Sequence, residues 1–168
     1  MEIRRATLQD MPGVYACCVA AFKDYIPLIG QTPGPMKEDY CQALDQHALF
    51  VAAEGDRVLG YLLIKDGEGD FQWMDVLAAE PKGTGVGRAL LTFCEDYIRA
   101  QGKHQCRLYT HVKYTVSYER PRVPRLQCGL YTHVKYTRSQ QIYLRQGYTI
   151  YDRVQEEGFD RYYMKKDL

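Results

Sequence analysis

Three glycines alternate along Lys82-Gly83-Thr84-Gly85-Val86-Gly87-Arg88, between a strand pattern and a helix pattern. Upstream, residues 71–79 read as a strand. Downstream, Val86, Ala89, Leu90, Phe93, Cys94, Tyr97 and Ile98 form one apolar face of a helix over 86–101, which Gly102 closes. Such a joint brings the end of a strand against the start of a helix. Glycines let backbone N–H groups approach an anion, and the helix start adds unpaired donors and positive dipole. A phosphate-binding loop of the GxxxxGK[ST] kind is absent. A dinucleotide fingerprint needs GxGxxG, and here the third glycine comes one place early. Taken alone, the loop fits a pyrophosphate site or a tight turn without ligand equally.

The rest of the chain alternates strands and helices. Residues 2–6 read as a first strand. Asp10 is placed to cap a helix, with Pro12 in its first turn and Val14, Cys17, Cys18 and Phe22 along its stripe. Three prolines and two glycines across 25–36 break any helix and imply a loop whose apolar side chains pack on something or bind something. A second helix fits 37–46. Strands fit 48–53 and 57–64, joined by Glu54-Gly55-Asp56. Residues 139–145 suit a short helix, and 149–154 with 159–165 a last hairpin whose tip, Glu156-Glu157-Gly158, carries solvated charges. This order belongs to the α/β (α+β) class, as one domain over 1–168.

One segment occurs twice. Residues 105–115 (QCRLYTHVKYT) return as 127–137 (QCGLYTHVKYT) after a linker, 116–126, that holds Pro121 and Pro124. Ten of eleven positions agree at a shift of 22 residues, which points to a recent duplication. The segment has strand character, so two copies compete for one place.

Composition excludes several classes. A net charge of +1 supplies no field for nucleic acid or a membrane surface. No apolar run reaches membrane-spanning length, and the first residues lack a secretory core, so a cytoplasmic location is expected. The six cysteines form no CxxC pair, which argues against a metal site, and Cys17 and Cys94 fall on apolar stripes as buried free thiols.

With the glycine loop goes a second motif, Tyr143-Leu144-Arg145-Gln146-Gly147-Tyr148. The order of elements, the Lys82-Gly83-Thr84-Gly85-Val86-Gly87 signature and this Y-x-R-x-G-Y segment together resemble the GNAT-type N-acetyltransferase superfamily over the whole chain apart from the 22 extra residues. Leu130-Tyr131-Thr132-His133 and Pro33-Gly34-Pro35-Met36 are similar to segments of one branch. Pro81 abuts Lys82 where the family has a spacer, and Tyr136 and Ser139 replace that branch's Met and Asn.

The resemblance implies a mixed, mostly antiparallel twisted sheet with splayed parallel fourth and fifth strands and helices on both faces. It implies acetyl-CoA as co-substrate, no metal, and transfer to a primary amine on a small molecule or peptide by direct attack. Backbone groups of Val76, Leu77 and Ala79 would bond the pantetheine arm. The N–H groups of Gly83, Thr84, Gly85, Val86 and Gly87, with Lys82 and Arg88, would hold the pyrophosphate. Tyr143 matches the acid that protonates the leaving thiolate. Asp75 near the end of the fourth strand is the candidate base, though a solvated strand-end carboxylate reads the same; a histidine in either repeat, His111 or His133, is the other candidate. Residues 25–36 would wall the acceptor site. Two alternatives remain: a non-catalytic acyl-CoA-binding module on the same fold, and a nucleotide-binding protein using the glycine loop.

In this reading the duplicated segment is the fifth strand. The second copy is expected in the slot, because it keeps the spacing from strand to Tyr143. The displaced copy would then add an edge or pair with a second protomer to make a homodimer.

Overall fold

The computed structural model describes residues 1–111 and 139–168. Among the described residues seven strands form one sheet in the order β1-β2-β3-β4-β5-β7-β6. They are β1 (Glu2–Arg5), β2 (Ala48–Glu54), β3 (Arg57–Asp66), β4 (Phe71–Ala79), β5 (Gln105–His111), β6 (Thr149–Glu156) and β7 (Phe159–Asp167). All neighbours run antiparallel except β4 and β5. The helices are α1 (Met11–Phe22), α2 (Ile26–Ile29), α3 (Tyr40–Gln46), α4 (Val86–Ala100) and α5 (Ser139–Arg145). Among the described residues no helix is long and apolar enough to cross a membrane.

The sheet divides the core in two. On one face Val14, Cys17, Cys18 and Ala21 of α1 and Tyr40 of α3 pack on Leu49, Val51, Tyr61 and Leu63. On the other, Leu90, Leu91, Cys94 and Ile98 of α4 pack on Phe50, Leu62, Met74, Cys106, Leu108 and Met164. The alternation of β2 feeds both clusters, which is why every residue of that strand but Glu54 is buried. Burial of whole Leu, Ile and Phe side chains at about 1.5–3 kcal/mol each makes these two layers the main source of stability.

Three local expectations change. Asp10 does not cap α1 with its side chain; the carboxylate turns back to accept from the Thr7 N–H and hydroxyl (2.8 Å each) and from Arg4 (2.8 and 2.9 Å). The Arg4 hydrogen bond, with help from Thr7, holds its pKa at about 2 despite burial. The prolines of 25–36 do not exclude helix. Pro27 sits in the first turn of α2, where no N–H is required, and Gly30 ends the turn at φ 77°. Glu156 is more than a solvated tip charge: it accepts from Arg161 and from the Tyr163 hydroxyl.

The slot between β4 and β7 holds the first copy of the repeat. Gln105–His111 pairs with Asp167 through Arg161 at every position. The expectation that the second copy fills the slot is therefore corrected. The first copy follows α4 after a connection of only a few residues, and short loops close at low entropic cost. The second copy, with the linker before it, lies outside the described residues, as does His133.

Candidate active site

The parallel pair β4–β5 is joined over three positions only: Phe71 with Gln105, Gln72 with Cys106, and Trp73 with Arg107. Beyond them β4 continues to Ala79 and β5 to His111 with no ladder between them. The cause lies in β4. Its pairing with β3 steps from Met74 opposite Ile64 to Val76 opposite Leu63, so Asp75 has no partner and forms a bulge. A bulge bends its strand and exchanges the faces of all residues after it. Met74 thus packs with α4, while Val76 and Ala78 pack with α1. Among the described residues, the backbone groups on the β5 side of β4 after Trp73 have no strand partner, as an arm carrying amides requires.

The opening leads to two cavities. The larger, about 460 Å³, is lined by Leu77, Ala79, Lys82, Gly83, Thr84, Gly85, Val86, Gly87 and Arg88 on one side and by Ile142, Tyr143, Arg145 and Gln146 of α5 and its end on the other. The smaller, about 80 Å³, is lined by Asp75, Val76, Tyr109, Thr110, His111, Phe159 and Arg161, with Gly34 and Pro35 from the loop after α2. Phe22, Leu77 and Tyr143 line both.

The glycine loop is built for backbone donors. Gly83 and Gly85 hold φ of 81° and 86°, the left-handed region that side chains resist. Gly85 caps α4 from this conformation, so the first-turn N–H groups of the helix face the larger cavity without intrahelical partners. The Thr84 hydroxyl closes the turn onto the Pro81 carbonyl at 2.9 Å. A Cβ on Gly87 would meet Ala79 and Leu77 at 3.7 and 3.8 Å, ordinary contact. The chain itself therefore has room for a side chain there, and only something entering the cavity would be crowded. Lys82 pairs with Glu80 at 3.5 Å, and its ammonium lies 6.0 Å from the Tyr25 ring. Arg88 is exposed at the rim.

Tyr143 stands at the junction of the two cavities, half-buried, with its ring edge on Tyr148 at 5.7 Å. Burial first, then the nearby Cys106 and Cys94 thiols, pushes its phenol well above the ordinary tyrosine value. It keeps its proton across the neutral range.

Asp75 is not the solvated strand-end group that the sequence allowed. Its side chain is 10% exposed, pairs with Lys65 at 2.9 Å and accepts from the Tyr109 hydroxyl at 2.8 Å. Lys65 in turn holds Glu38 at 2.9 Å. Burial works against the Lys65 charge, but the Glu38 and Asp75 hydrogen bonds outweigh it and raise its pKa. The Tyr109 phenol is raised as well, by burial and then by the Asp75 charge. His111 is buried against the Phe159 ring at 6.0 Å.

All ten expected cofactor residues and both expected catalytic residues line one or other cavity. Sequence reasoning missed Arg145, Tyr109, Thr110, Phe159 and Arg161. Helical spacing gave no pointer to Arg145, because residues two apart on a helix do not share a face; its place at the last turn of α5 brings it to the cavity. Tyr109 and Thr110 follow from the alternation of β5 only once the slot is known to hold the first copy.

Solved structures share this architecture. The PaiA N-acetyltransferase of Thermoplasma acidophilum, in complex with coenzyme A, is 16% identical, with a TM-score of 0.69 covering 99% of this chain and 98% of that one. An aminoglycoside 6′-N-acetyltransferase complexed with coenzyme A is 14% identical, with a TM-score of 0.69 over 99% and 97%. The ribosomal-protein-alanine N-acetyltransferase of Brucella melitensis is 19% identical, with a TM-score of 0.63 over the full length of both. Identities this low speak for the fold. No curated protein matches the sequence. The sequence model of the acetyltransferase (GNAT) family matches residues 17–119, more than half of the chain and the stretch from α1 through the glycine loop into β5. The chain belongs to the GNAT acetyltransferase family.

Proposed function

We propose that this protein transfers the acetyl group of acetyl-CoA to a primary amine, with the arm of the co-substrate in the gap between β4 and β5. The observation that carries the reading is that gap. It opens after Trp73 and Arg107, with the start of α4 on one side and Tyr143 on the other. The first-turn N–H groups of α4, with Lys82, Arg88 and Arg145, bind the pyrophosphate. The unpaired edge of β4 around Val76, Leu77 and Ala79 takes the amides of the arm.

The neutral amine attacks the thioester carbonyl carbon, the carbon–sulfur bond breaks, and the sulfur leaves with the electron pair. Tyr143 gives that sulfur its proton and is reprotonated from solvent. A raised phenol pKa suits this task, since the acid must hold its proton until the thiolate forms. Asp75 lines the small cavity and, through water, takes the proton that the amine nitrogen gives up as the amide forms, and passes it to solvent. The acceptor reaches the carbonyl past Gly34 and Pro35, through a space of about 80 Å³ that admits an aminomethyl head and excludes a bulky one.

Thermal unfolding with CoA, acetyl-CoA, ATP and NAD added separately tests this. A ligand at a hundred times its Kd adds about 2.7 kcal/mol to stability. CoA and acetyl-CoA should raise Tm by several degrees. A rise with ATP or NAD and none with CoA would remove the acyltransferase reading in favour of nucleotide binding.

A further inference from the structure

Among the described residues three buried side-chain oxygens have no hydrogen-bond partner: Gln72 Oε1, Thr110 Oγ1 and Tyr148 Oη. Gln72 already donates to Asp66 at 2.8 Å, and neither Gln72 nor Tyr148 is among the residues lining the two cavities described above. Thr110 differs. It is 5% exposed and lines the small cavity where β4 and β5 have parted. A sealed hydroxyl without a partner costs stability, and one that borders a cavity can be satisfied by what enters it.

Strand alternation says on which side of the gap that partner lies. Cys106 and Leu108 of β5 pack into the α4 cluster, so Thr110, two residues on, belongs to the same face. Tyr143 packs against that cluster too. Tyr109, which bonds Asp75, and His111, which packs on Phe159, point the other way. The polar groups of the small cavity thus sort into two sets: Asp75, Tyr109, His111 and Arg161 on the acceptor side, Thr110 and Tyr143 on the side of the leaving sulfur.

We infer that the Thr110 hydroxyl is a substrate-binding group for the acetyl-thioester end of acetyl-CoA, donating a hydrogen bond there beside Tyr143. The inference rests on the acetyl-CoA reading above and adds to it a residue on the β5 wall. It also assigns the duplicated segment a chemical role, because Thr110 lies within the first copy.

The test compares wild type, Thr110→Val and Thr110→Ser in the full chain, with two titrants: acetyl-CoA, and adenosine 3′,5′-bisphosphate, which carries nucleotide phosphates but no arm. Thr110→Val should raise the Kd for acetyl-CoA by roughly tenfold, the loss of one hydrogen bond. The Kd for the bisphosphate should not change, and Thr110→Ser should restore acetyl-CoA binding. Without ligand, Thr110→Val should unfold at the same temperature as wild type or higher, since a methyl replaces an unsatisfied hydroxyl of similar volume. Equal acetyl-CoA affinity in the valine variant overturns the inference, as does an equal loss for both titrants or a lowered Tm of the free protein. Wild type that binds neither titrant would instead remove the acetyl-CoA reading, and the inference with it.

Discussion

The two ends of the β4–β5 pair are made from the same two strands and behave in opposite ways. At the joined end, large side chains lock the strands. The Arg107 guanidinium lies 3.8 Å from the Phe71 ring centroid and 5.5 Å from that of Tyr151, and its Nε donates to Gln105 at 2.6 Å. Trp73 meets Phe71, Tyr109 and Tyr163 edge to face at 5.4–6.4 Å. At the open end, past the bulge at Asp75, the facing residues include Leu77, Ala79, Thr110 and His111, and no ladder forms. One polar contact, from Tyr109 to Asp75, marks the border. Stability is concentrated on one side of that border, and the groups suited to chemistry on the other. Substitutions at the open end should therefore change rates and leave the fold intact, and those at the joined end should do the reverse.

The largest effect is expected from Tyr143→Phe. Loss of a positioned acid lowers turnover by about 10²–10⁴-fold. The ring keeps its packing on Tyr148, and no hydrogen bond of Tyr143 within the described residues is lost, so Tm should stay within a degree or two. Steady-state acetylation of a panel of primary amines, beside thermal unfolding, checks both halves. A variant with unaltered turnover would dismiss Tyr143 as the acid. The pH dependence has a definite sign. The folded-state pKa is raised, so the contribution of the neutral phenol to stability is complete below the ordinary tyrosine value of about 10 and is lost as pH climbs through the higher folded value. An alkaline fall in activity that Tyr143 causes should lie above pH 10; a fall centred near 8 would belong to another group.

Trp73→Ala should act in the opposite sense. The indole is half-buried, so the loss should sit at or below the low end of the ~3–5 kcal/mol typical of Trp→Ala in a core. Chemical denaturation measures it. Affinity for CoA under native conditions should hold, because Trp73 lines neither cavity. Weakened binding at unchanged stability would mean that the two ends are not separate in function.

How much of this was legible in the sequence follows the range of the cause. The glycine loop, the face of α4 and the strands at 48–53 and 71–79 are local patterns, and the structure repeats them within a residue or two. The bulge at Asp75 left no trace, since Trp73-Met74-Asp75-Val76-Leu77 alternates plausibly with or without a one-residue slip. The burial of Asp75 was hidden for a different reason. Its partners, Lys65 and Tyr109, come from other strands, and only the assembled sheet brings them near. The turn at Ile26–Ile29 was misread because the prolines were weighed as breakers before their position in the first turn was considered.

Beside the short connection after α4, a single residue favours the first copy in the slot. The two copies differ only where Arg107 of the first is matched by Gly129 of the second. The contacts of Cys106, Leu108, Tyr109, Thr110 and His111 are therefore within reach of either sequence, while the stacking of Arg107 on Phe71 is open to one alone. Two deletions isolate this difference. Removal of residues 116–137, or of 105–126, leaves chains identical except for Arg or Gly at that one position. Both should fold, since each retains a complete fifth strand in direct line with α4 and α5. The arginine chain should be more stable by about 1 kcal/mol, from the cation–π contact and the strand cost of glycine combined. Denaturant midpoints resolve a gap of that size. Equal midpoints would show that the joined end does not depend on Arg107, and that the short connection after α4 decides by itself which copy enters the sheet.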